Sequence, residues 1–212
     1  MTGLSSHSTV RFVLASASPA RLDTLRRAGI EPEVMVSGVD EDVVTAPTTA
    51  ELVVRLAELK ATAVAAQAGP AALVLGCDSM LDLDGAALGK PGSPDVARAR
   101  WRQLRGRTGV LHTGHCLVDT ATGQAVIEGA ATSVRFADVT DAEIDLYCAT
   151  GEPLAVAGAF TIDGLGGWFI DGVEGDPHTV VGVSLPMVRR MLHELGHGLE
   201  AVGYPRPNRR GN

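Results

Sequence analysis

The stretch Ala15-Ser16-Ala17-Ser18-Pro19-Ala20-Arg21-Leu22 decides how this chain of 212 residues folds, because it joins a strand to a helix. The apolar run 10–14 before it predicts a short buried strand, and the apolar spacing after it predicts an amphipathic helix that ends at Ala28-Gly29. Ser18 stands at the N-cap and Pro19 at the first helical position, where its missing N–H costs nothing. We expect the free N–H groups of this helix start to bind an anion, although an ordinary capped helix has the same pattern.

Strands and helices alternate along the rest of the chain. Periodicity, capping residues and turn residues predict, in order, a strand at 34–36, a helix over 50–66, a buried strand over 73–79, a hairpin turn at Asp84-Gly85, a helix over 94–104, two longer strands around the turn 120–123, a helix from the capping box at Thr140, short strands and loops over 158–182, and a helix from Ser184. We therefore expect an α/β fold with a mixed central β-sheet flanked by helices. We also expect two lobes with a cleft between them.

Four charged side chains in this arrangement indicate phosphate chemistry. Glu41 follows the second predicted strand, and Asp78 ends the buried one. Lys60 adjoins the apolar face of the long helix, and Lys90 lies beside the hairpin. Two carboxylates at strand ends can bind a hard cation such as Mg²⁺, and two lysines with Arg21 can neutralise a polyphosphate. The alternative is structural: a turn cap for Asp78, solvated positions for Lys60 and Glu41, and ordinary hairpin chemistry for Lys90.

A series of short motifs extends this interpretation to nearly the whole chain, from about Arg11 to Leu195. They are Ala15-Ser16-Ala17-Ser18-Pro19, Val39-Asp40-Glu41, Arg55-Leu56-Ala57-Glu58-Leu59-Lys60-Ala61, Gly76-Cys77-Asp78-Ser79, Leu88-Gly89-Lys90-Pro91, Leu104-Arg105-Gly106-Arg107, Thr113-Gly114, Glu152-Pro153-Leu154, Ala157-Gly158-Ala159-Phe160 and Val181-Gly182-Val183-Ser184-Leu185-Pro186. Each motif alone has little specificity. Together and in this order, they resemble the Maf family of nucleoside triphosphate pyrophosphatases, often described as septum formation inhibitors. The resemblance also implies a fold like that of inosine triphosphate pyrophosphatases.

The resemblance implies a reaction in which water attacks the α-phosphorus of a nucleoside triphosphate and releases pyrophosphate. Such enzymes are thought to clear non-standard or excess nucleotides and to influence cell division. By the same resemblance, Asp78 accepts the proton of the attacking water, and Glu41 and Asp78 bind the divalent cation, Mg²⁺ or else Mn²⁺. The implied phosphate-binding residues are Ser16, Ser18, Arg21, Lys60 and Lys90.

Three positions depart from the usual pattern of the family and bear on base preference. Ala20 stands in a Ser-Pro-Ala-Arg sequence where many members have Ser-Pro-Arg-Arg, and Ser79 stands where many have threonine. Asp163 stands where members associated with thymidine and uridine triphosphates tend to have glutamine. Glutamine offers a donor and an acceptor to a base edge, whereas an ionised aspartate only accepts. The resemblance therefore leaves the preferred base open.

Two local motifs are similar to those of other protein classes, but neither meets the requirements of its class. The segment 193–197 spells H-E-x-x-H, but Gly196 and Gly198 predict that the helix ends before His197, so a zinc peptidase is not expected. The segment 85–90 is similar to a P-loop, but it is one residue short and precedes Pro91 instead of a serine or threonine.

Composition limits the remaining function classes. The formal net charge of −7 argues against a nucleic acid polymer as partner. No apolar run is long enough to span a bilayer, and residues 1–9 lack an export signal, so we expect a cytoplasmic protein with no membrane partner. The cysteines Cys77, Cys116 and Cys148 are expected to be buried thiols.

One domain is expected over residues 10–203, with a flexible segment 1–9 and a disordered tail 204–212. Trp101 and Trp168 are expected to anchor the packing. The family often forms dimers, so a homodimer is a candidate, although the sequence contains no recognisable dimer interface. The alternative function is a non-catalytic, nucleotide-binding regulator of cell division, which would not need a water-activating Asp78.

Overall fold

The computed structural model describes residues 10–205 of the chain. Its strands are β1 (Arg11–Leu14), β2 (Glu33–Val34), β3 (Ala72–Leu83), β4 (Ala86–Leu88), β5 (Thr108–Asp119), β6 (Ala125–Phe136) and β7 (Ile170–Glu174). Its α-helices are α1 (Pro19–Arg27), α2 (Thr49–Ala68), α3 (Pro94–Leu104), α4 (Asp141–Ala149), α5 (Pro177–Val181) and α6 (Leu185–Glu194). The predictions for residues 1–9 and for the tail beyond Pro205 fall outside the described residues.

The strands form one mixed sheet in the order β2-β1-β3-β5-β6-β7, with β4 paired to β3. β1 runs parallel to β2 and β3, whereas the pairs β3–β4, β3–β5, β5–β6 and β6–β7 are antiparallel. The helix α2 packs along β3 and β5, and α5 and α6 also pack on β5 and β6. This arrangement confirms the predicted α/β fold with a mixed central sheet flanked by helices.

Two strands end at different residues from those predicted. β2 ends at Val34 instead of continuing to Val36, because its pairing with β1 ends there. The strand that contains Asp78 does not end at this acid. Its pairing with β1 stops at Leu75, but β5 pairs with it as far as Asp82 and keeps it extended. Asp78 therefore lies inside a strand, just beyond its parallel part, and the prediction of a strand end was wrong.

The strand–turn–helix unit around Ser18 has the predicted form. Ser18 is the N-cap of α1, and its hydroxyl accepts the backbone N–H of Arg21 at 3.5 Å. Pro19 opens the helix, and Gly29 follows its C-cap with a φ of +85°, a left-handed conformation that glycine adopts readily. The start of α1 therefore points to the residues that follow β1.

Two glycines allow α2 to lie unusually close to the sheet. A Cβ on Gly76 would meet the backbone oxygen of Ala57 and, at 2.7 Å, the backbone nitrogen of Ala61. A Cβ on Gly114 would meet the backbone of Val53 in the same way. Because neither strand has a side chain at these points, the helix backbone approaches the sheet directly. This close approach brings Lys60, which lies between Ala57 and Ala61 on α2, within reach of Asp78 on β3.

The hydrophobic core divides into two main clusters across the middle of the sheet. The first contains Cys77 and Leu117 and is covered by α1 and α6. The second contains Leu81 and Leu111 and is covered by α3 and α4. The chain passes from one cluster to the other within a few residues of β3 and β5. The two predicted lobes correspond to these clusters, and the boundary between them falls beside Asp78.

Other elements agree with prediction, with one exception. The hairpin turn has positive φ at Asp84 and Gly85, α4 begins with the predicted capping box at Thr140, and the cysteines are free and buried. Trp101 packs edge-on against neighbouring aromatic rings, as expected. Trp168 is 85% exposed, so the prediction that it anchors the packing was wrong. Its neighbour Phe169 turns toward Trp101 instead, and a tight helical turn leaves the indole outside.

Within residues 10–205, no helix combines the length and the apolar character needed to cross a membrane.

Candidate active site

Buried polar side chains are concentrated at the boundary between the two core clusters. Burying a polar group costs free energy unless it is paired, so such a band usually has a purpose. It crosses β3 and β5 and continues into α1, α2 and α5. Its members are Ser16, Arg21, Lys60, Asp78, Thr113, His115, Thr179 and Ser184.

The centre of this band is an ion-paired cluster. The Nζ atom of Lys60 lies 2.6 Å from Oδ1 of Asp78 and 2.9 Å from Oε1 of Glu41. The side chains of Lys60 and Asp78 are only 8% and 9% exposed, whereas that of Glu41 is 49% exposed. Glu41 is not at a strand end, since it lies in the loop between β2 and α2. A buried cation thus joins two carboxylates, one inside and one at the surface.

The surroundings of the Asp78 carboxyl group raise its pKa, which suits a proton acceptor. Burial raises the pKa of its carboxyl group above the ordinary value, while Lys60 and Arg21 act in the opposite direction. Its Oδ1 is bound to Lys60, but its buried Oδ2 has no hydrogen-bond partner among the described residues. A buried carboxylate oxygen without a partner is costly, so it is a natural position for a water molecule or a cation.

The residues present fit a hydrated hard cation with few protein ligands. Among residues 10–205, no three His, Cys, Asp or Glu side chains are close enough together to hold a metal ion. The available oxygens are therefore those of Asp78 and Glu41. Mg²⁺ commonly binds through one or two carboxylates, keeps several waters and takes further oxygens from a phosphate substrate. The unpartnered Oδ2 of Asp78 is the observation that favours such an ion.

Arg21 connects three parts of the site. Its guanidinium donates from Nη1 to the hydroxyl of Ser16 at 3.0 Å, from Nη2 to the hydroxyl of Ser79 at 3.0 Å, and from Nε to the carbonyl of Gly182 at 2.8 Å. A guanidinium has five N–H groups, so any contact with a phosphate would use those that remain. Arg21 thus joins the loop after β1 to the residue beside Asp78 and to the segment before α6.

A directed chain of hydroxyl groups continues from Arg21 across β5. The hydroxyl of Thr113 donates to the carbonyl of Thr179 at 2.9 Å. Its hydrogen is therefore used, and the 2.9 Å bond between Ser79 and Thr113 must be donated by Ser79. The order of donation is Arg21, Ser79, Thr113 and the Thr179 carbonyl. The rotamer and hydrogen position of Ser79, next to Asp78, are thereby determined.

The predicted phosphate loop is preorganised around Ser16. Its hydroxyl accepts the backbone N–H of Ser18 at 3.2 Å as well as the Arg21 guanidinium. Ser16 is buried, whereas Ser18 and Ala20 are half-buried at the start of α1. This loop lies in contact with the band that contains Asp78, because Arg21 bonds to both Ser16 and Ser79.

Two predicted residues do not contact this cluster. The side chain of Lys90 is exposed and forms no hydrogen bond or ion pair with another described residue. The same holds for Asp163, which lies in an exposed bend. Both residues are on the side of the second core cluster, since the backbone around Lys90 bonds to Leu154 and Gly158. The structure therefore brings together Ser16, Arg21, Glu41, Lys60, Asp78 and Ser79, and leaves Lys90 and Asp163 across the boundary.

Sequence reasoning missed residues that hold this site in place. Thr113 appeared only inside a motif, and Thr179 had no signal apart from a glycine-rich neighbourhood. His115 is fully buried and accepts the backbone N–H of Ser184 at 2.9 Å through Nε2. Burial lowers the pKa of His115 to about 4, with Arg21 acting in the same direction, so the ring is neutral. It lies on the opposite face of β5 from His112, because the two positions are three residues apart in the strand.

The H-E-x-x-H segment is not a metal site in this fold. The helix α6 ends at Glu194, and Gly196 takes a φ of +79° before His197. Nε2 of His197 lies 3.2 Å from a carboxylate oxygen of Asp119, in a structural contact. The expectation that the helix ends before the second histidine is confirmed.

Comparison with known proteins identifies the family. A family model described as Maf-like protein matches residues 11–195. This chain belongs to the Maf-like protein family. The resemblance proposed from the motifs is therefore confirmed, and it includes both sides of the boundary that contains Asp78.

Curated Maf-like relatives match nearly the whole chain. A protein of Streptomyces coelicolor named nucleoside triphosphate pyrophosphatase is 59% identical over 196 residues, covering 92% of this chain and 95% of that protein. A protein of the same name from Salinispora tropica is 58% identical over 190 residues, covering 88% and 84%. Among solved structures, a HAM1 protein from Coxiella burnetii aligns with 62% of this chain and 75% of its own, at 18% identity and a TM-score of 0.44.

Proposed function

We propose that this Maf-like chain is a nucleoside triphosphate pyrophosphatase, a hydrolase that cleaves the bond between the α- and β-phosphates. The products are a nucleoside monophosphate and pyrophosphate, and the role is removal of unwanted nucleotides from the pool. The observation that carries the proposal is the buried contact of Lys60 with Asp78 at the boundary of the two clusters. The names of the curated relatives support the same reaction.

In this proposal, positive charge on both sides of the boundary holds the triphosphate. Arg21 comes from α1, which covers the first cluster, Lys60 comes from α2, and Lys90 comes from the loop beside the second cluster. Hydrolysis at phosphorus depends mainly on positioning and charge neutralisation, so it needs cations and backbone donors but no covalent nucleophile. Ser16 and Ser18 complete the phosphate site through their hydroxyl groups and the N–H groups at the start of α1.

Asp78 is proposed to accept the proton of the attacking water. Burial raises the pKa of its carboxyl group, which makes it a stronger base than an exposed aspartate. Lys60 and Arg21 oppose this rise, because their positive charges favour the ionised carboxylate. The free Oδ2 is the atom available to a water molecule, because Oδ1 is bound to Lys60.

Glu41 and Asp78 are the residues proposed to hold a divalent cation, Mg²⁺ in the first place and Mn²⁺ in the second. When bound, such an ion would neutralise negative charge on the phosphate oxygens as the anhydride bond breaks. Glu41 is half exposed and on a loop, so it can adjust to an entering cation–nucleotide complex. Lys60 would then remain paired with the buried Asp78.

Base preference is proposed to depend on Ala20, Ser79 and Asp163. The hydroxyl of Ser79 is already used between Arg21 and Thr113, which leaves it little freedom to contact a base. Asp163 is exposed and without a partner among the described residues, so it is the most available of the three. A carboxylate at this position favours a base edge that donates hydrogen bonds.

The test is the release of pyrophosphate from a panel of standard and modified nucleoside triphosphates with Mg²⁺. We compare the wild type with Asp78→Asn and with a control, Asp145→Asn, in which an exposed carboxylate of α4 is changed. Asp78→Asn should reduce kcat by about 100-fold or more while the KM changes only a few-fold, since general-base catalysis contributes about 10² to 10⁴. Repeating the assay with Mn²⁺ and with a chelator tests the cation.

The result decides between two functions. Turnover that depends on Asp78 and not on Asp145 establishes the pyrophosphatase and ranks the bases. Tight nucleotide binding by the wild type without turnover of any substrate would contradict the proposal and favour a nucleotide-binding regulator. Release of inorganic phosphate instead of pyrophosphate would contradict the position of cleavage.

A further inference from the structure

Arg100 differs from the other arginines of the segment 98–107, which covers most of α3 and the turn after it. Arg98 pairs with Asp95 and Asp145, and Arg102 and Arg105 approach Asp141. Arg107 pairs with Asp84. Arg100 forms no ion pair with a described carboxylate. Its guanidinium donates from Nη1 to the backbone carbonyl of Gly89 in a short hydrogen bond.

That carbonyl belongs to the peptide bond between Gly89 and Lys90. It accepts two hydrogen bonds, the one from Arg100 and one from the backbone N–H of Gly158 at 3.2 Å. Three residues further on, the N–H of Gly92 donates to the carbonyl of Leu154 at 3.0 Å. The loop 89–92 is therefore attached at both ends, and Lys90 projects between the two attachments.

The elements behind this loop are closely packed and hydrogen-bonded. Gly158 has a φ of +71°, and a Cβ there would come within 2.9 Å of the side chain of Leu81. The next residue on α3 after Arg100 is the buried Trp101, whose Nε1 donates to the carbonyl of Ala159 at 2.8 Å. Consecutive residues of α3 thus hold Gly89 and Ala159, and α3 sets the position of the loop relative to the second core cluster.

A half-buried guanidinium without a carboxylate is costly to keep. Burial lowers the pKa of Arg100, which indicates that its charged form is partly desolvated. An apolar residue would satisfy the packing at lower cost, but it could not donate to the Gly89 carbonyl.

We infer that Arg100 is a positioning residue for Lys90: it orients the Gly89–Lys90 peptide and so directs the lysine toward the phosphates of the nucleotide. This inference rests on the proposed function, because it needs Lys90 to contact a phosphate group. Arg100 acts through the peptide bond and not on the reacting atoms. Its removal should therefore weaken phosphate binding without abolishing the chemistry.

The test is a double-mutant cycle on nucleotide binding. We measure the Kd of a nucleoside triphosphate analogue with a non-hydrolysable α–β bridge, with Mg²⁺, by calorimetry. The variants are Arg100→Met, Lys90→Met, the double variant, Arg100→Lys and the control Arg102→Met. Arg102 lies on the same helix and is half exposed, with Asp141 as its partner. Tm values show whether each variant is folded.

The expected result is coupling. Arg100→Met should raise the Kd about 5- to 20-fold in the wild type and less than 2-fold when Lys90 is already methionine, since the two residues act as one unit. Arg100→Lys should recover part of the affinity, because an ammonium can donate to the same carbonyl. Arg102→Met should leave the Kd unchanged.

Two outcomes overturn the inference. One is an effect of Arg100→Met no larger than that of Arg102→Met. The other is an equal loss of affinity with and without Lys90, together with a lower Tm, which indicates a purely structural role. The failure of the proposed function is a separate result, because it would appear as the absence of pyrophosphate release from the wild type whatever the binding cycle gives.

Discussion

Lys60 shows how a single residue acquires a chemical role from its surroundings. The chain has two lysines, Lys60 and Lys90, and both are candidates for the phosphate site. A lysine on a helix is normally solvated, yet Lys60 is 6% exposed and is held by Asp78 and Glu41. A buried ion pair is costly to break by removal of one partner, because the other charge is left uncompensated.

We expect Lys60→Met to shift the pH dependence of the proposed activity. Lys60 lowers the pKa of Asp78 against the effect of burial, so its removal should raise that pKa further. Asp78 must be ionised to accept a proton, so the acidic limb of kcat/KM against pH should move to higher pH.

The matched variant is Lys60→Arg, which keeps the positive charge and should leave the limb near its wild-type position. Profiles of kcat/KM from pH 5 to pH 9 measure the difference. An acidic limb at the same pH in the wild type and in Lys60→Met would show that Asp78 is not the group that titrates.

At the scale of elements, the important contact is that of α2 with the sheet. Gly76 and Gly114 leave the strands without side chains where α2 crosses them, so the helix lies directly on the backbone. Lys60 is on the same helix, between Ala57 and Ala61 at the Gly76 contact. The distance between Lys60 and Asp78 thus depends on how closely this helix packs.

We predict that Gly76→Ala lowers both stability and activity. The new Cβ would overlap the backbone of Ala57 and Ala61, which cannot yield as a side chain end can, and α2 would have to move outward. Overpacking of this kind costs about 1 to 3 kcal/mol. Chemical denaturation measures the loss, and pyrophosphate release should fall because Lys60 moves away from Asp78.

Gly129→Ala is the control for this substitution. It adds a methyl group on β6 that would come within 3.2 Å of the end of the Val54 side chain, a contact that a rotamer change can relieve. Its effect on stability and turnover should be smaller. Equal effects of the two substitutions would show that the close approach of α2 at Gly76 is not what positions Lys60.

At the scale of the whole molecule, Glu152 holds together the segments that cover the second core cluster. Its Oε1 accepts hydrogen bonds from the hydroxyls of Tyr147 and Thr161 and from the N–H of Gly166, and its Oε2 accepts from the N–H of Leu165. Although burial acts to raise it, these hydrogen bonds hold the pKa of Glu152 below its ordinary value. One carboxylate thus attaches α4 to the segment 161–166.

We expect Glu152→Gln to loosen this half of the molecule only. In glutamine an NH₂ group replaces one carboxylate oxygen, and this group cannot accept a hydrogen bond. At least one of the four donors would therefore lose its acceptor, at a cost of about 1 to 3 kcal/mol. Hydrogen exchange followed by mass spectrometry should show faster exchange over 161–169 and in α4. Exchange in β1 and α6, which belong to the first cluster, should be unchanged.

Because the pKa of Glu152 is below its ordinary value, we expect the protein to lose stability in acid. A depressed pKa contributes stability above the unfolded value, and that contribution is lost as the pH falls through the folded value. Below pH 4.5 the wild type should lose more stability than Glu152→Gln.

In the hydrogen-exchange experiment on Glu152→Gln, a uniform increase in exchange across both clusters would instead show that the two halves open as one unit.

Much of this structure follows from local sequence. Ser18 and Pro19 determine the start of α1, Thr140 determines that of α4, and Asp84-Gly85 determines the hairpin, because each acts on backbone groups a few residues away. Trp168 was misjudged because exposure depends on which face of a short turn meets the core, which local pattern does not specify.

For the candidate site too, some features were predictable from sequence and others were not. Motif order alone was enough to identify the family and to single out Asp78, Lys60 and Glu41 before their contacts were known. It did not reveal that Asp78 lies inside a strand, nor the hydroxyl chain through Thr113. These depend on β5, whose pairing with β3 keeps Asp78 in an extended backbone and brings a threonine from 34 positions away to Ser79.

The sequence by itself determined the elements, their order and the residue types of the site, because capping, turn formation and hydrophobic periodicity act over a few residues. Only the tertiary structure decided which of those residues meet. The contacts of Lys60 with Asp78 and Glu41, of Arg21 with Gly182 and of Arg100 with Gly89 join distant segments. They form because packing places those segments together, and no local pattern contains that information.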